Sequence, residues 1–350
     1  MLTFEQRKAA FIDLGHIIGN LMNQHSLSSS ESQFDFNETL HLAQAENKWF
    51  TEENIFFALK QWHFCLTDEP LEKWLKNYDF TDQTLSQTIG IIMAGNIPLV
   101  GFHDFLSTLI SGHKAMIKLS SNDKRLLPYL ADKLIQIQPE FQSKITFEEG
   151  ILKNFDAVIA TGSNNTARYF EYYFRNKPHI IRKNRNGVAI LTGDETLEDI
   201  QKLGEDIFRF FGLGCRNVSK LFIPQNFDFD FFFESISNFK PYIYHNKYAN
   251  NYDYNKAVYL MSEIQFLDNE FLILKEDKLI TSPIGVLNYE IYENDNALAE
   301  NLKSHQNNIQ CIIGKHSLCE FDFGQAQHPE LSDYADGIDT LTFLQNLHTK

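Results

Sequence analysis

Cysteine is scarce and unpaired in this sequence. Its four cysteines, Cys65, Cys215, Cys311 and Cys319, form no CxxC pair in a chain of 350 residues. A chain of that length needs no disulfide scaffold, and no zinc-ligand spacing is present, so no structural metal is expected. Long apolar runs are missing as well. No stretch reaches the roughly eighteen apolar residues that mark a membrane-spanning helix, so no integral membrane insertion is expected. The opening residues, MLTFEQRKAAFIDLGHIIGNLMNQ, do not read as a signal peptide. Glu5, Arg7, Lys8 and Asp13 interrupt their apolar residues, which recur at helical spacing. A reducing cytoplasm is the expected location. Positive charge is short too: the formal net charge is -15. That argues against nonspecific nucleic-acid binding but leaves room for an anionic small ligand at a local basic patch. Arg175, Lys177, Arg182, Lys183 and Arg185 fall within eleven residues and form either such a patch or a solvated charged face.

What the sequence has in excess is phenylalanine, with 31 copies, which predicts an aromatic-rich core. The length fits two domains better than one. Helix-period patterns cover 4–23, 37–46 and 52–65, separated first by the polar segment SLSSSESQ. Near Thr88 the pattern changes. TIGIIMAG reads as a buried strand, the stretch around PLVGFHDFLSTLISG as a helix, HKAMIKLS as a strand and NDKRLLPYLADKLIQ as a helix. KITFEEG and FDAVIATG are further strands, and SNNTARYFEYYFRN a further helix. Strand–helix alternation with short connections predicts a parallel, doubly wound sheet.

A second unit is expected after residue 180. HIIRKNRNGVAILTG supplies strand material, and Thr196 can cap a helix whose buried stripe runs from Leu197 to Phe211. GLGC breaks that helix and VSKLFIP returns as a strand. A helix over 226–238, a tyrosine- and asparagine-rich crossing over 243–256, and strands in LITSPIGVLNYEIY and NIQCIIG follow. The expected domains are 1–185, a helical region plus a dinucleotide-binding domain, then 186–323, carrying a reactive thiol, and 324–350, a return segment.

Three places can carry chemistry. Cys215, in FFGLGCRNVSKLFIP, sits between a helix and a strand, and Gly212 and Gly214 give the junction a mobile backbone. Arg216 could lower its pKa; the alternative is a buried structural cysteine. GLGCRN imitates part of GxGxxG, but it follows a helix, and Asn217 stands where the third glycine belongs. Thr161, Gly162 and Ser163, where a strand passes into a helix, suit a pyrophosphate, because backbone N–H groups are exposed there and glycine permits close approach. Asn96, in MAGNIP, could hold or polarise an oxygen, or cap the helix after residue 97. His328 precedes Pro329 in an irregular stretch, with no feature tying it to Cys215.

Taken in order, GIIMAGNIPL, ISGHKAMIKLSS, AVIATGSNNTARYF and FFGLGCRNVSKLFIP resemble the aldehyde-dehydrogenase superfamily. Within it they are most similar to the fatty-acyl-CoA reductase branch, which includes the fatty-acid reductases of bacterial bioluminescence. The resemblance runs from about residue 88 to the C-terminus. It implies two doubly wound three-layer α/β domains behind a helical N-terminal region, with the active site in the cleft between them. It also implies site roles. Cys215 takes the catalytic thiol position, and Asn96, with the Cys215 N–H, forms the oxyanion hole. Lys118 and Ser120 lie at the adenosine ribose, and Gly162 and Ser163 lie under the pyrophosphate. Two departures matter. IIRKNRNG replaces the ELGG motif, leaving no carboxylate between Glu171 and Asp194 to activate a hydrolytic water. KLSS replaces KPSE, so Lys118, Ser120 and Ser121 leave room for a 2′-phosphate. The resemblance therefore implies an NADPH-dependent reductase that converts an acyl-CoA or acyl-carrier thioester to the aldehyde. Acyl transfer or thioester hydrolysis by the same cysteine, and a noncatalytic binding protein on this fold, are the alternatives. A homodimer is expected, with the C-terminal LTFLQNL segment helping to build the assembly; burial of that segment within its own chain is the alternative.

Overall fold

The computed structural model of the protein describes residues 2–25, 31–80 and 86–347. Part of the polar separator expected after the first helix, residues 26–30, lies outside them. The chain forms two compact units: Met1–Lys183 together with Glu330–Lys350, and Asn184–Pro329.

The first unit opens with four helices, α1 (Phe4–His25), α2 (Glu31–Glu46), α3 (Glu52–Cys65) and α4 (Asp68–Leu75). The last was not read in the sequence. Along α1, Phe11, Leu14 and Ile18 are fully buried, the three-and-four spacing of one helix face. The sheet follows, with β1 (Thr88–Ile92), α5 (Phe102–Ile110), β2 (Lys114–Lys118), α6 (Leu126–Ile137), β3 (Ile145–Phe147), β4 (Ala157–Thr161), α7 (Asn164–Phe174) and β5 (His179–Arg182). All five strands are parallel, in the order β3-β2-β1-β4-β5. That is the doubly wound pattern, with its switch point between β1 and β4. In α5 every residue but His103 is buried, so this helix is packed on all sides.

The second unit contains β6 (Asn186–Ile190), α8 (Leu197–Phe208), β7 (Val218–Ile223), α9 (Phe229–Ser235), α10 (Asn246–Met261), β8 (Leu267–Asp268), β9 (Ile273–Glu276), β10 (Val286–Ile291), α11 (Asp295–Ser304) and β11 (Ile309–Ile313). Its strand order is β11-β6-β7-β10-β9-β8, parallel except for the β8–β9 pair. Thr196 caps α8 as expected: its hydroxyl accepts the Asp199 N–H, and Asp199 reaches back in a full capping box. The tyrosine- and asparagine-rich crossing is a regular helix, α10. HIIRKNRNGVAIL is divided, its first half forming β5 in one unit and its second half β6 in the other.

Two sequence expectations are corrected here. Residues 324–329 belong to the second unit, because the Asp206 carboxylate accepts the N–H groups of Gly324 and Ala326. The C-terminal helix, α12 (Thr340–Asn346), does not offer its apolar residues to an assembly. Leu341, Leu344 and Leu347 are buried in the core of the first unit of the same chain. Polar contacts fasten the segment there. Arg182 donates to Asp104 at 2.5 Å and to the Thr340 hydroxyl at 2.9 Å. Tyr78 donates to Asp339 at 2.9 Å, and Trp74 to the Tyr334 hydroxyl at 2.8 Å. Among the described residues no helix is long and apolar enough to cross a membrane.

Candidate active site

In the first unit the expected cofactor and oxyanion residues converge on one edge of the sheet. Asn96 follows β1, Lys118 ends β2 and Gly162 follows β4, and β2, β1 and β4 are neighbours. This is the carboxyl end of parallel strands at their switch point, where open α/β sheets bind ligands. The loops after β1 and β2 touch. A Cβ at Gly95 would lie 2.6 Å from the Ser120 side chain, so only glycine allows that approach. Asp123 draws the two loops together. Its carboxylate accepts the Leu99 N–H at 3.0 Å, and its own N–H donates to the Ser120 carbonyl. Leu99 has φ of 57°, a left-handed backbone that costs a leucine about 1–2 kcal/mol. Burial, only partly offset by backbone N–H donors, raises the Asp123 carboxyl to about 6.

Individual residues divide more finely. Asn96 is exposed, and α5 begins later, at Phe102, with Gly101 at its N-cap; Asn96 is therefore not that helix's cap. Ser121 is exposed, and the Ser120 hydroxyl accepts the Asn122 N–H at 3.2 Å. Ser163 is the N-cap of α7, its hydroxyl accepting the Thr166 N–H. The helix N-terminus, rather than that hydroxyl, is what remains to meet an anion. The basic run is not one patch. Arg182 is buried against Asp104, Lys183 pairs with Glu171, Lys177 donates to the Phe155 carbonyl, and Arg185 donates to Gln306 and Ile309 carbonyls in the second unit. The alternation of strand and helix that buries Arg182 scatters the rest.

Cys215 lies in the second unit, at the amino end of β7. The preceding backbone is unusual: Phe210, Phe211 and Gly212 take φ values of 55°, 58° and 76° in succession. Two consecutive left-handed phenylalanines are strained, of order 1–3 kcal/mol each, and such strain collects at functional sites. Packing offsets it. Both rings are buried, and Phe211 packs on His245 in a tilted pair with centroids 4.3 Å apart and meets Tyr242 edge-on. Gly214 to Asn217 then form a turn closed by the Asn217 N–H on the Gly214 carbonyl at 3.1 Å, with Cys215 in its second position. The turn is pinned rather than mobile. The buried Asn217 side chain accepts the Gly214 N–H at 2.7 Å and donates to the carbonyls of Asp206 and Arg209 at 2.9 and 2.8 Å. On the sheet side, the Arg216 carbonyl packs so closely on Gly187 of β6 that a Cβ there would sit 2.6 Å from it. The Arg216 guanidinium lies over the Phe321 ring, 4.8 Å from its centroid.

The thiols are not equivalent. Burial raises Cys65 to about 11, Cys311 to about 12 and Cys319 to about 11, keeping all three protonated at neutral pH. Thiolate is the reactive form, so those three are poor nucleophiles. Cys215 is partly exposed on its turn. Asn217 and Asp206 were missed as site residues; an amide where a dinucleotide loop would carry glycine was the available signal. Among the described residues no group of three His, Cys, Asp or Glu could hold a metal ion.

Comparison with known structures agrees with this fold. An aldehyde dehydrogenase of Bacillus cereus solved with NAD+ superimposes with a TM-score of 0.62 at 13% identity, covering 92% of this chain and 76% of that one. Aldehyde dehydrogenase 21 of Physcomitrella patens, solved with succinate, gives 0.65 at 12% identity, covering 99% and 85%. The indole-3-acetaldehyde dehydrogenase of P. syringae, a mutant solved with NAD+ and IAA, gives 0.63 at 12% identity, covering 92% and 76%. No curated protein matches significantly in sequence. The fold is therefore that of the aldehyde dehydrogenases. Within that class, residues 67–237, just under half of the chain, match the family described as acyl-CoA reductase (LuxC). The chain thus has an aldehyde-dehydrogenase-like fold and, over residues 67–237, is similar to the acyl-CoA reductase (LuxC) family.

Proposed function

We propose that the protein reduces an acyl-CoA, or an acyl group on a carrier-protein thiol, to the aldehyde with NADPH through an acyl-enzyme on Cys215. The observation that carries this reading is the pinned, strained turn that presents Cys215 while burial keeps the other three thiols protonated. The Cys215 sulfur adds to the thioester carbonyl carbon. The bond from that carbon to the CoA sulfur then breaks, and CoA leaves as the thiol, carrying the proton that Cys215 gave up. The Asn96 amide and the Cys215 N–H are the donors proposed for the oxyanion.

The carboxyl edge of the first sheet fits a nicotinamide dinucleotide. Gly95 and Ser120 bring two loops into contact, the N-terminus of α7 offers N–H groups for the pyrophosphate, and Lys118 ends the strand beside them. Lys118, Ser120 and Ser121 would hold the adenosine end with its 2′-phosphate, and Gly162 and Ser163 the pyrophosphate. When bound, the dinucleotide supplies the hydride that converts the acyl group to aldehyde. No carboxylate stands between Glu171 and Asp194 to activate water, which favours reduction over hydrolysis. A homodimer belongs to this reading on the general prevalence of two-fold assemblies. With α12 buried in its own chain, it would use another face.

The test is NADPH oxidation against an acyl-CoA chain-length series with the aldehyde measured directly. Aldehyde formed in proportion to NADPH consumed supports the proposal. Free acid without NADPH consumption would establish thioester hydrolysis instead. No turnover and no dinucleotide binding would leave a binding protein on this fold.

A further inference from the structure

We infer that Asp206 and Asn217 form a two-part clamp that positions the Cys215 turn and ties it to the segment after β11. The inference rests on Cys215 being the nucleophile, and it concerns residues that touch neither substrate nor cofactor. Asn217 is 1% exposed, and its amide works inward on both of its polar atoms. The oxygen fixes the Gly214 N–H, while the nitrogen takes two carbonyls at the end of α8, those of Asp206 and Arg209. Terminal helix carbonyls lack intrahelical partners. One side chain thus closes the helix and fixes the Leu213–Gly214 peptide, one step before the peptide that enters Cys215.

Asp206 continues the chain of contacts in the opposite direction. It is fully buried, and its two carboxylate oxygens accept the N–H groups of Gly324 at 2.6 Å and Ala326 at 3.1 Å. A carboxylate is suited to that task because both of its oxygens are acceptors, whereas an amide offers one oxygen and a nitrogen that would face a donor. Helix α8, the nucleophile turn and the segment 324–326 are therefore linked through consecutive hydrogen bonds. The turn is held on its other side by Gly187, whose N–H donates to the Asn217 carbonyl at 2.9 Å. Loosening either half of the clamp lets the thiol and the adjoining N–H move, and displacement of about an ångström costs of order a hundredfold in a positioned reaction.

The full chain tests this with Asn217→Ala, Asp206→Asn and the double variant. Cys215 alkylation by iodoacetamide is followed by peptide mapping, with Cys65, buried in the first unit, as the control for global unfolding, beside the rate of acylation by acyl-CoA. Each single variant should slow acylation at least about tenfold with KM within about twofold, and should change Cys215 alkylation but not Cys65 alkylation. The double variant should be no slower than the slower single one, because the two residues act as one device. Additive losses overturn the inference. So does a lower melting temperature with unchanged Cys215 rates. If a variant does not fold, hydrogen exchange on the unaltered protein decides: the Gly214, Gly324 and Ala326 amides should open together, and independent opening overturns the clamp. A wild-type Cys215 that alkylates but accepts no acyl group would defeat the proposed function and leave the alkylation comparison intact.

Discussion

The two units place their proposed site residues at opposite ends of their strands. In the first, Asn96, Lys118, Ser120 and Gly162 follow or end neighbouring parallel strands, at the carboxyl edge where β1 and β4 diverge. In the second, Cys215 precedes β7, at the amino end of its strand. A ligand edge at a switch point arises from topology alone, so almost any sequence with this strand order forms it. The nucleophile proposed here, at an amino end, has no such help. It needs a dedicated turn, and this one uses two strained phenylalanines, a buried amide and a buried carboxylate. The cofactor edge should therefore tolerate substitution in graded steps, whereas the thiol turn should fail sharply.

Cys215→Ser should break the comparison most severely. Aldehyde formation should fall on the order of a thousandfold or more, with the fold kept, since a thiol-to-hydroxyl change alters little volume. Steady-state rates beside circular dichroism check this, and substantial residual activity would move the chemistry elsewhere. Asn96→Ala comes next. Removing one oxyanion donor should lower kcat about a hundredfold with little change in KM. An unchanged kcat would take Asn96 out of the oxyanion hole. Lys118→Ala should act on affinity: NADPH should lose about tenfold relative to NADH, the scale of one charge-assisted hydrogen bond. Equal loss for both cofactors, measured by titration, would remove the 2′-phosphate contact.

The smallest effect sets the two buried aspartates against each other. Burial raises Asp123 to about 6 and Asp206 to about 7 from an unfolded value of 3.8, and backbone donors only partly offset it. Between those limits the folded chain binds more protons than the unfolded one. Stability present at low pH is therefore lost as pH rises through the folded values. Asp206→Asn should flatten the fall in melting temperature between about pH 4 and 7 more than Asp123→Asn does. The reverse order would mean that the cofactor edge, and not the thiol turn, holds the more strongly desolvated carboxylate.

The same contrast governs what could be read from the sequence. β1, α5, β2 and β4 were legible because apolar runs and turn residues alternate there with little else competing. The strand-to-helix junction at Gly162 and Ser163 was legible because such a junction carries its own composition. The thiol turn was only half legible. Gly212 and Gly214 announced it, but the left-handed backbone of Phe210 and Phe211 has no sequence signature, since the contacts that hold it, such as those of Phe211 with Tyr242 and His245, form only in the fold. Asn217 looked like a failed glycine because its hydrogen bonds run to carbonyls eight and eleven residues away. The basic run looked continuous because sequence spacing does not show that Arg182 turns inward to Asp104. The leucines of α12 needed a surface, and the sequence could not say that it lay in the same chain.

The most direct test of the account is intact-protein mass spectrometry after brief exposure to an acyl-CoA without dinucleotide, followed by an NADPH chase. The account predicts one acyl adduct, mapped to Cys215, which disappears on the chase as aldehyde is released. An adduct on Cys65, Cys311 or Cys319, or one on Cys215 that NADPH leaves unchanged, would contradict it.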